Sequence, residues 1–225
     1  MTENRPAESS SMRLPHVALV VVDIQPDFLP GGALAVEGGD EILARVARLM
    51  AAESFELIVA TQDWHPPDHV SFASHHPGHE PMEIIELHGY DQTLWPDHCI
   101  QGTPGAHLVD GLPWDHVDAF IRKGTDPEAD SYSAFRNNWN REGDRPATGL
   151  GGYLREREIE DVWICGLARD VCVRWTAEDA VEAGFRTTVL WDLTRSVDPS
   201  NDEVLRRDLT AKGVQTVNLW DYVEE

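Results

Sequence analysis

The sequence predicts an α/β fold with three layers, α/β/α, around a mostly parallel six-stranded sheet. Six short apolar runs recur along the chain, at 17–22, 57–61, 119–123, 162–165, 187–191 and 214–219. Their residues do not alternate between apolar and polar, which is typical of strands covered on both faces of a parallel sheet. Helical patterns lie between several of these runs. Repeated strand–helix–strand units favour right-handed crossovers within one domain.

Three segments have helical spacing, at 40–52, 176–184 and 201–213. In the first of them, Ile42, Val46 and Leu49 fall on one face, as in an amphipathic helix. The other two segments end at a glycine, which commonly terminates helices because it readily adopts the left-handed backbone conformation. We therefore predict a helix in each segment.

Two long segments interrupt this alternation. Residues 64–117 are rich in His, Pro, Trp and Gly, and residues 124–152 are rich in Gly, Asn, Asp and Pro. Loops of this length in a compact domain are usually functional or disordered. Because no linker-like tract separates a second domain, we predict one domain over 17–225, preceded by a disordered tail over 1–16.

The composition is that of an acidic globular domain. The chain has 225 residues and a formal net charge of −22, which argues against nucleic acid and anionic membranes as partners. No apolar run approaches the roughly 18 residues of a membrane span, and the polar start lacks the apolar core of a signal peptide. Three cysteines do not make a disulfide framework. We expect a cytoplasmic protein.

Reactive side chains follow four of the predicted strands. Asp23, Asp63 and Lys123 stand at the ends of the first three apolar runs, and a glycine turn after the fourth leads to Cys172. An Asp after a strand is common in turns. However, ligands of open α/β sheets bind beyond the carboxyl ends of the strands, where all four groups would meet. We therefore place the functional site at this edge.

Cys172 lies at the start of a predicted helix. The unpaired N–H groups there lower the pKa of a thiol and favour the thiolate nucleophile, and they could also bind an oxyanion. The alternative is a small apolar residue on the buried face of the helix. Asp23 emerges from an apolar strand, so partial burial would raise its pKa and suit it to exchange a proton with the thiol. Its alternative role is a helix cap or a turn residue.

Lys123 is the candidate positive charge of the site. Its ammonium could pair with Asp23 and stabilise a thiolate, whereas the alternative is a surface lysine at the rim of the sheet. Arg122 competes for this role. Successive side chains of a strand point to opposite faces, so only one of the two can enter the site.

Asp63 and His65 form a candidate metal site. They are two residues apart, so both lie on the same side of an extended segment. A carboxylate with imidazoles suits zinc, iron or manganese. Spacing does not choose the third ligand, because several histidines follow: His69, His75, His76, His79 and His98. The alternative is a histidine-rich loop without a fixed site.

Five blocks of the sequence closely resemble those of one enzyme family, in the same order. They read DIQPDFLPGGALAVEGGD, TQDWHPPDHVSFA, LWPDHCIQGTPGA, IRKGTDPEADSYSAF and GLARDVCVRWTAEDA. They are similar to blocks of the nicotinamidases (pyrazinamidases), which are cysteine amidohydrolases of the isochorismatase-like hydrolase family. The resemblance extends from about Ala18 to Asp192 and implies the isochorismatase-like fold.

The resemblance also implies catalytic roles. Asp23 matches the catalytic base, Lys123 the catalytic lysine and Cys172 the nucleophile of the family. The backbone amides of Ala168 and Cys172 match its oxyanion hole, and the Leu167–Ala168 peptide matches a position that is typically cis.

The remaining implied roles concern substrate and metal. Phe28 and Trp95 match the aromatic residues that clamp the substrate ring, with Tyr132 in the pocket lining. The implied metal ligands are Asp63, His65 and His98, and His69 is left open as a further ligand. We expect one divalent ion, zinc, with iron and manganese as alternatives. Two features depart from many relatives, Arg169 before Asp170 and a longer insertion over 136–150, and both leave pocket access and substrate range open.

The predicted function is hydrolysis of nicotinamide to nicotinate and ammonia through a cysteine thioester, a step of NAD salvage. The alternatives are an amidohydrolase of the same fold acting on other small amides or on ureido or carbamoyl compounds, a metal-dependent hydrolase with an inert cysteine, and a binding protein that retains the pocket. The resemblance allows a homo-oligomer without requiring one, and activity on pyrazinamide is left open.

Overall fold

A six-stranded parallel sheet forms the centre of the fold. The computed structural model of the chain describes residues 14–52 and 54–219. Its strands are β1 Leu14–Val22, β2 Phe55–Asp63, β3 Ile84–Leu87, β4 Tyr90–Thr93, β5 Ala119–Lys123, β6 Asp161–Leu167, β7 Arg186–Arg195 and β8 Gln215–Val217. The large sheet has the order β5-β2-β1-β6-β7-β8, and its neighbouring strands pair in parallel. The predicted fold class and all six predicted strands are confirmed.

Helices cover both faces of this sheet. They are α1 Leu43–Ala51, α2 Leu150–Glu156, α3 Arg174–Glu182 and α4 Asp202–Ala211. Leu19 and Val21 of β1 are buried in the layer that contains Val46 of α1, whereas Val20 and Val22 are buried in the layer with α2, α3 and α4. Because the side chains of a strand alternate between faces, the apolar run 17–22 of β1 is covered on both sides of the sheet. None of the helices in the described part of the chain is long and apolar enough to cross a membrane.

Two elements were not predicted from the sequence. The helix α2 contains Gly151 and Gly152, whose low helix propensity hides the pattern of its two buried leucines. The strands β3 and β4 form a separate antiparallel hairpin in the segment 64–117. Its two-residue turn consists of His88 and Gly89, both with positive φ, as a tight hairpin turn requires. The short strands β3 and β4 are partly exposed and so lack the apolar pattern of a buried strand. The His88–Gly89 turn was therefore the only sequence signal for this hairpin.

The strand order determines where a site can form. The sheet continues from β1 to β2 and β5 on one side and to β6, β7 and β8 on the other. Ligands of open α/β sheets bind at such a reversal of strand order, beyond the carboxyl ends of the strands. Residues 1–13 of the predicted tail lie outside the described residues, and β1 begins at Leu14 rather than at the predicted Val17.

Gly166 of β6 provides a test of the packing between the two central strands. Its φ is +112°, and a Cβ atom at this position would lie 2.1 Å from the carbonyl oxygen of Val22. We expect Gly166→Ala to lower the free energy of unfolding by about 3 kcal/mol or more, because strain and a backbone clash combine. Urea denaturation followed by circular dichroism measures this change.

Gly152→Ala is the matched control. Gly152 lies on the exposed side of α2, and no atom lies within 4 Å of its added Cβ. Alanine is the better helix former, so we expect a gain of about 0.5–1 kcal/mol in this variant. Equal stability of the two variants would contradict the close approach of β1 and β6.

Candidate active site

Asp23, Lys123 and Cys172 meet at the carboxyl edge of the sheet. Asp23 directly follows β1, Lys123 is the last residue of β5, and Cys172 lies in the π-helical turn Arg169–Val173 between β6 and α3. The Nζ atom of Lys123 lies 2.8 Å from Asp23 Oδ2 and 3.4 Å from Cys172 Sγ. All three side chains are buried. The structure thus brings together the three residues predicted to be catalytic.

Lys123 joins two carboxylates inside the protein. Its Nζ also lies 2.8 Å from Asp63 Oδ1 and donates to the carbonyl oxygen of Ser131 at 3.1 Å. Burial opposes the charge, but Asp23 and Asp63 raise the pKa of Lys123 well above its ordinary value, so the side chain stays an ammonium. Arg122 is exposed, with its guanidinium over the ring of Trp64. Lys123 is therefore the positive charge that enters the site.

Asp23 is held tightly as a potential base. Burial raises its pKa, and the ammonium of Lys123 opposes this shift. Thr61 donates from Oγ1 to Asp23 Oδ1 at 2.6 Å and accepts from the backbone N–H of Asp23 at 3.1 Å. The backbone of Asp23 has φ +47°, a left-handed conformation that is uncommon for a residue other than glycine. These contacts orient the carboxylate beside the thiol.

The pKa of Cys172 differs from the sequence-based expectation. We expected the start of the helix to lower it, but burial raises the pKa of the thiol well above its ordinary value, against the opposing effect of Lys123. Asp23 contributes to the increase by its charge and by a hydrogen bond. A neutral thiol needs a base before it can attack, and the carboxylate of Asp23 is in contact with it.

The turn after β6 was predicted to supply an oxyanion hole. The Leu167–Ala168 peptide is cis, as predicted. Ala168 and Cys172 both line the pocket described below. The carbonyl oxygen of Ala168 accepts from the N–H groups of Val171 and Val173. The role of the Ala168 and Cys172 amides as oxyanion donors stays a prediction.

Asp63, His65 and His98 form a group of converging metal-binding atoms. Asp63 Oδ2 lies 3.1 Å from His65 Nε2 and 3.5 Å from His98 Nε2. Nδ1 of His65 donates to the carbonyl oxygen of Gly124 at 3.0 Å, and Nδ1 of His98 donates to that of Pro96 at 2.8 Å. Such outer hydrogen bonds orient metal-binding imidazoles and leave Nε2 for the ion. The arrangement fits a divalent cation of the zinc type.

Long-range pairing selects His98 from the five candidate histidines. The backbone N–H of His65 donates to the carbonyl oxygen of Cys99, and the carbonyl oxygen of His65 accepts from Gln101. This pairing brings His98 next to Asp63. His75, His76 and His79 bond elsewhere in their loop. His69 is buried, with its ring 4.2 Å from that of His65.

A pocket of about 340 Å³, including its open mouth, connects the predicted nucleophile Cys172 with the candidate metal ligands. Phe28, Trp95 and Tyr132, the predicted substrate-binding residues, all line it. The ring of Trp95 is nearly perpendicular to that of Tyr132, and its Nε1 donates to the Tyr132 hydroxyl at 3.1 Å. Such a small pocket with aromatic walls suits a flat ring with one polar substituent. The substrate-binding role of these residues stays a prediction.

Two buried residues of the site were missed in the sequence. Gln25 donates from Nε2 to the carbonyl oxygen of Asp63 at 2.8 Å and accepts from the N–H of Asp63 at 2.7 Å, which fixes the end of β2. Asp130 lines the pocket, and its carboxylate accepts from Gln92 Nε2 at 2.7 Å. Gln25 lies three residues after the end of β1, which was a usable signal. Asp130 lies in a loop without periodicity, which gave none.

The insertion over 136–150 supports the wall of the pocket. Arg145 forms two hydrogen bonds of 2.8 Å with the carboxylate of Asp179. Its guanidinium lies 5.1 Å from the ring centres of both Trp139 and Trp175. The ring of Trp175 in turn packs at 5.3 Å against Tyr132. The insertion is therefore connected to a residue that lines the pocket.

Arg169, the second departure, connects the cysteine turn to β7 and α4. Its guanidinium forms an ion pair with Asp202 and donates to the carbonyl oxygens of Trp191 and Thr194. The neighbouring Asp170 accepts from the N–H groups that follow β7, including that of Val197, which lines the pocket. These bonds attach the turn that carries Cys172 to the loop after β7, which contributes Val197 to the pocket lining.

Known proteins resemble the chain over most of its length. The model of the isochorismatase domain matches residues 17–219. The nicotinamidase of Acinetobacter baylyi is 45% identical, covering 90% of this chain and 92% of the relative. The nicotinamidase of Escherichia coli is 40% identical, covering 94% of this chain and 99% of the relative.

Solved structures of nicotinamidases and pyrazinamidases also resemble the chain over most of its length. A nicotinamidase/pyrazinamidase of Acinetobacter baumannii superimposes with a TM-score of 0.85 and is 44% identical, covering 92% of this chain and 97% of that chain. The pyrazinamidase of Pyrococcus horikoshii, solved in complex with zinc, has a TM-score of 0.71 and is 37% identical. The match covers 90% of this chain and 99% of that chain.

Removal of the buried ammonium tests the electrostatics of the site. We expect Lys123→Met to lower the free energy of unfolding by about 3–5 kcal/mol, because it leaves two carboxylates buried without their shared cation. Chemical denaturation of the purified variant measures the loss. The control is Arg122→Met, which removes an exposed guanidinium from the same strand and should cost less than about 1 kcal/mol. A loss of similar size in both variants would refute the ion-pair network.

Proposed function

This chain belongs to the isochorismatase-domain family, and we propose that it is a nicotinamidase, which hydrolyses nicotinamide to nicotinate and ammonia. The observation that carries this proposal is a single small pocket that holds Cys172 beside Asp23 and Lys123 and holds the Asp63–His65–His98 group in the same cavity. The reaction would return nicotinamide to NAD synthesis as nicotinate.

The first half of the reaction is acylation of Cys172. Asp23 takes the thiol proton, and the thiolate attacks the carboxamide carbon of the substrate. The resulting oxyanion accepts hydrogen bonds from the backbone N–H groups of Ala168 and Cys172. The proton held by Asp23 passes to the amide nitrogen, the C–N bond breaks, and ammonia leaves. The product of this half is a thioester on Cys172.

The second half is hydrolysis of that thioester. Asp23, now a carboxylate again, takes a proton from water, whose oxygen attacks the thioester carbon. The C–S bond breaks, nicotinate leaves, and the proton returns to the sulfur of Cys172. Lys123 keeps Asp23 in position through both halves, because its ammonium lies 2.8 Å from Asp23 Oδ2, and it favours the carboxylate form that accepts the proton in each half. The raised pKa of Asp23 makes it a stronger base than an exposed carboxylate.

The cation would be held by Asp63, His65 and His98. We infer zinc, which suits one carboxylate and two imidazoles and is present in the pyrazinamidase of Pyrococcus horikoshii. When bound, the ion would act as a Lewis acid toward the pyridine nitrogen, directly or through water, and thereby orient the ring. Asp63 serves both halves of the site, since its other oxygen lies 2.8 Å from the Lys123 ammonium.

The aromatic walls complete the recognition of the substrate. Phe28 and Trp95 offer flat faces for the pyridine ring, and Tyr132 holds Trp95 through its hydroxyl group. The pocket is small, which suits a one-ring amide.

The nucleophile is tested by ammonia release from nicotinamide. We expect Cys172→Ala to lower kcat by at least about 10⁴-fold, because no other group forms the thioester. The control is Cys165→Ala, which alters a buried cysteine of β6 that does not line the pocket. We expect this control variant to keep most of the activity. Elemental analysis of each variant shows whether the metal content is unchanged.

Each alternative function has its own outcome in this assay. Activity that survives Cys172→Ala with metal bound would favour a metal-dependent hydrolase with an inert cysteine. Ammonia release from ureido or carbamoyl compounds but not from nicotinamide would favour another amidohydrolase. No release from any small amide would favour a binding protein.

Benzamide tests the role of the ring nitrogen. Benzamide has the size of nicotinamide, but its ring has no nitrogen and therefore no ring lone pair. We expect its kcat/KM to be lower than that of nicotinamide by about 100-fold or more. Steady-state ammonia release gives kcat/KM for nicotinamide and for benzamide. Phe28→Leu is the comparison variant, because loss of an aromatic face should weaken both amides to a similar degree. Equal kcat/KM for the two amides in the wild-type protein would contradict recognition of the nitrogen.

A further inference from the structure

A second group of metal-binding atoms lies beside the first. His65, His69 and Asp130 are all buried, and one ligating atom of each lies within 4.8 Å of the others. We propose that this group is a second position for a divalent transition-metal cation, which overlaps the first position through His65. The proposal does not depend on nicotinamide as the substrate. It extends the metal chemistry of the pocket to two residues, His69 and Asp130, that the proposed mechanism does not use.

His69 offers a nitrogen without a partner. Its Nε2 is buried and has no hydrogen-bond partner among the described residues. Its Nδ1 lies 2.8 Å from the hydroxyl and 3.3 Å from the backbone N–H of Ser71. The backbone N–H of Ser71 donates to Nδ1, whereas the hydroxyl can either donate to Nδ1 or accept from it. A cation at Nε2 would select the tautomer in which Nδ1 donates to the hydroxyl oxygen and Nε2 presents its lone pair. A buried polar atom without a partner is costly, and a bound cation removes that cost.

Asp130 offers a buried carboxylate without an ion pair. Oδ1 accepts from the N–H of Ser131 at 2.8 Å and Oδ2 from Gln92 Nε2 at 2.7 Å, which fixes the group but leaves its charge uncompensated. No Lys or Arg in the described part of the chain lies within 4.0 Å of it. A buried charge is normally paired or coordinates a metal. Asp130 also lines the pocket, from which an ion would enter.

His65 determines how many ions can bind. Its Nδ1 donates to the carbonyl oxygen of Gly124, so only Nε2 is available to a metal. This nitrogen has one lone pair and binds one ion at a time. The two positions therefore exclude each other, and the capacity is one ion per chain. Both offer two imidazoles and one carboxylate, a set that suits Zn²⁺, Co²⁺, Fe²⁺ and Mn²⁺.

Co²⁺ binding to the full-length, metal-free protein tests the proposal. Equilibrium dialysis with elemental analysis gives stoichiometry and affinity, and the visible absorption of Co²⁺ reports its ligands. The variants are His98→Ala, Asp130→Asn and the double variant. The control is His76→Ala, which alters a half-buried histidine of the same loop that belongs to neither group.

We expect one Co²⁺ per chain in the wild type and in each single variant, with a changed spectrum in His98→Ala. The double variant should bind more than about 100-fold more weakly than His98→Ala, because it disrupts both ligand sets. His98→Ala with His69→Gln repeats the test through the other ligand, and circular dichroism identifies any variant that fails to fold.

Three results would overturn the proposal. They are loss of Co²⁺ binding in folded His98→Ala, equal affinity of His98→Ala and both double variants, and two ions per wild-type chain. None of these readouts uses nicotinamide, so a failure of the proposed function is seen separately, as absence of ammonia release from metal-loaded wild-type protein.

Discussion

The ammonium of Lys123 between the carboxylates of Asp23 and Asp63 is the interaction on which the site depends. Both Nζ–oxygen distances are 2.8 Å, and all three side chains are buried. Two carboxylates this close inside a protein would repel each other without the shared cation. The three residues stand at the ends of β1, β2 and β5, which are neighbours in the sheet. Parallel pairing of these strands is therefore what assembles the charges.

This ion-pair network also explains why a thiol with a raised pKa is compatible with catalysis. A permanent thiolate at Cys172 would add a third negative charge next to Asp23 and Asp63, and burial would make that charge costly. The raised pKa of the thiol instead keeps the proton on sulfur until Asp23, which lies beside it, accepts that proton in the proposed mechanism. Transfer of the proton moves negative charge from Asp23 to Cys172, and Lys123 contacts both atoms, at 2.8 and 3.4 Å. The total charge near the ammonium stays constant during the transfer.

Local sequence patterns predicted the features that depend on neighbouring residues. Continuous apolar runs predicted the strands, and the reactive residues at or beyond the ends of these runs predicted where the site lies, because parallel strands all end at one edge. Features that depend on distant contacts were not predictable in this way. The choice of His98 requires the pairing of His65 with Ile100, which joins distant parts of a long loop. The thiol pKa was expected in the wrong direction, because the rule for helix ends is local whereas the burial of Cys172 is a property of the whole fold.

The balance of buried charge links the catalytic and metal-binding halves of the pocket. Asp23, Asp63 and Asp130 are all buried, Asp63 and Asp130 line the pocket, and the ammonium of Lys123 is in contact with Asp23 and Asp63. With all three carboxylates ionised, two negative charges remain, which one divalent cation neutralises. A cation at either proposed position lies against His65 and a buried carboxylate, that of Asp63 at the first position and that of Asp130 at the second. Neutrality therefore favours one ion per pocket, which agrees with the single lone pair that His65 offers to both positions.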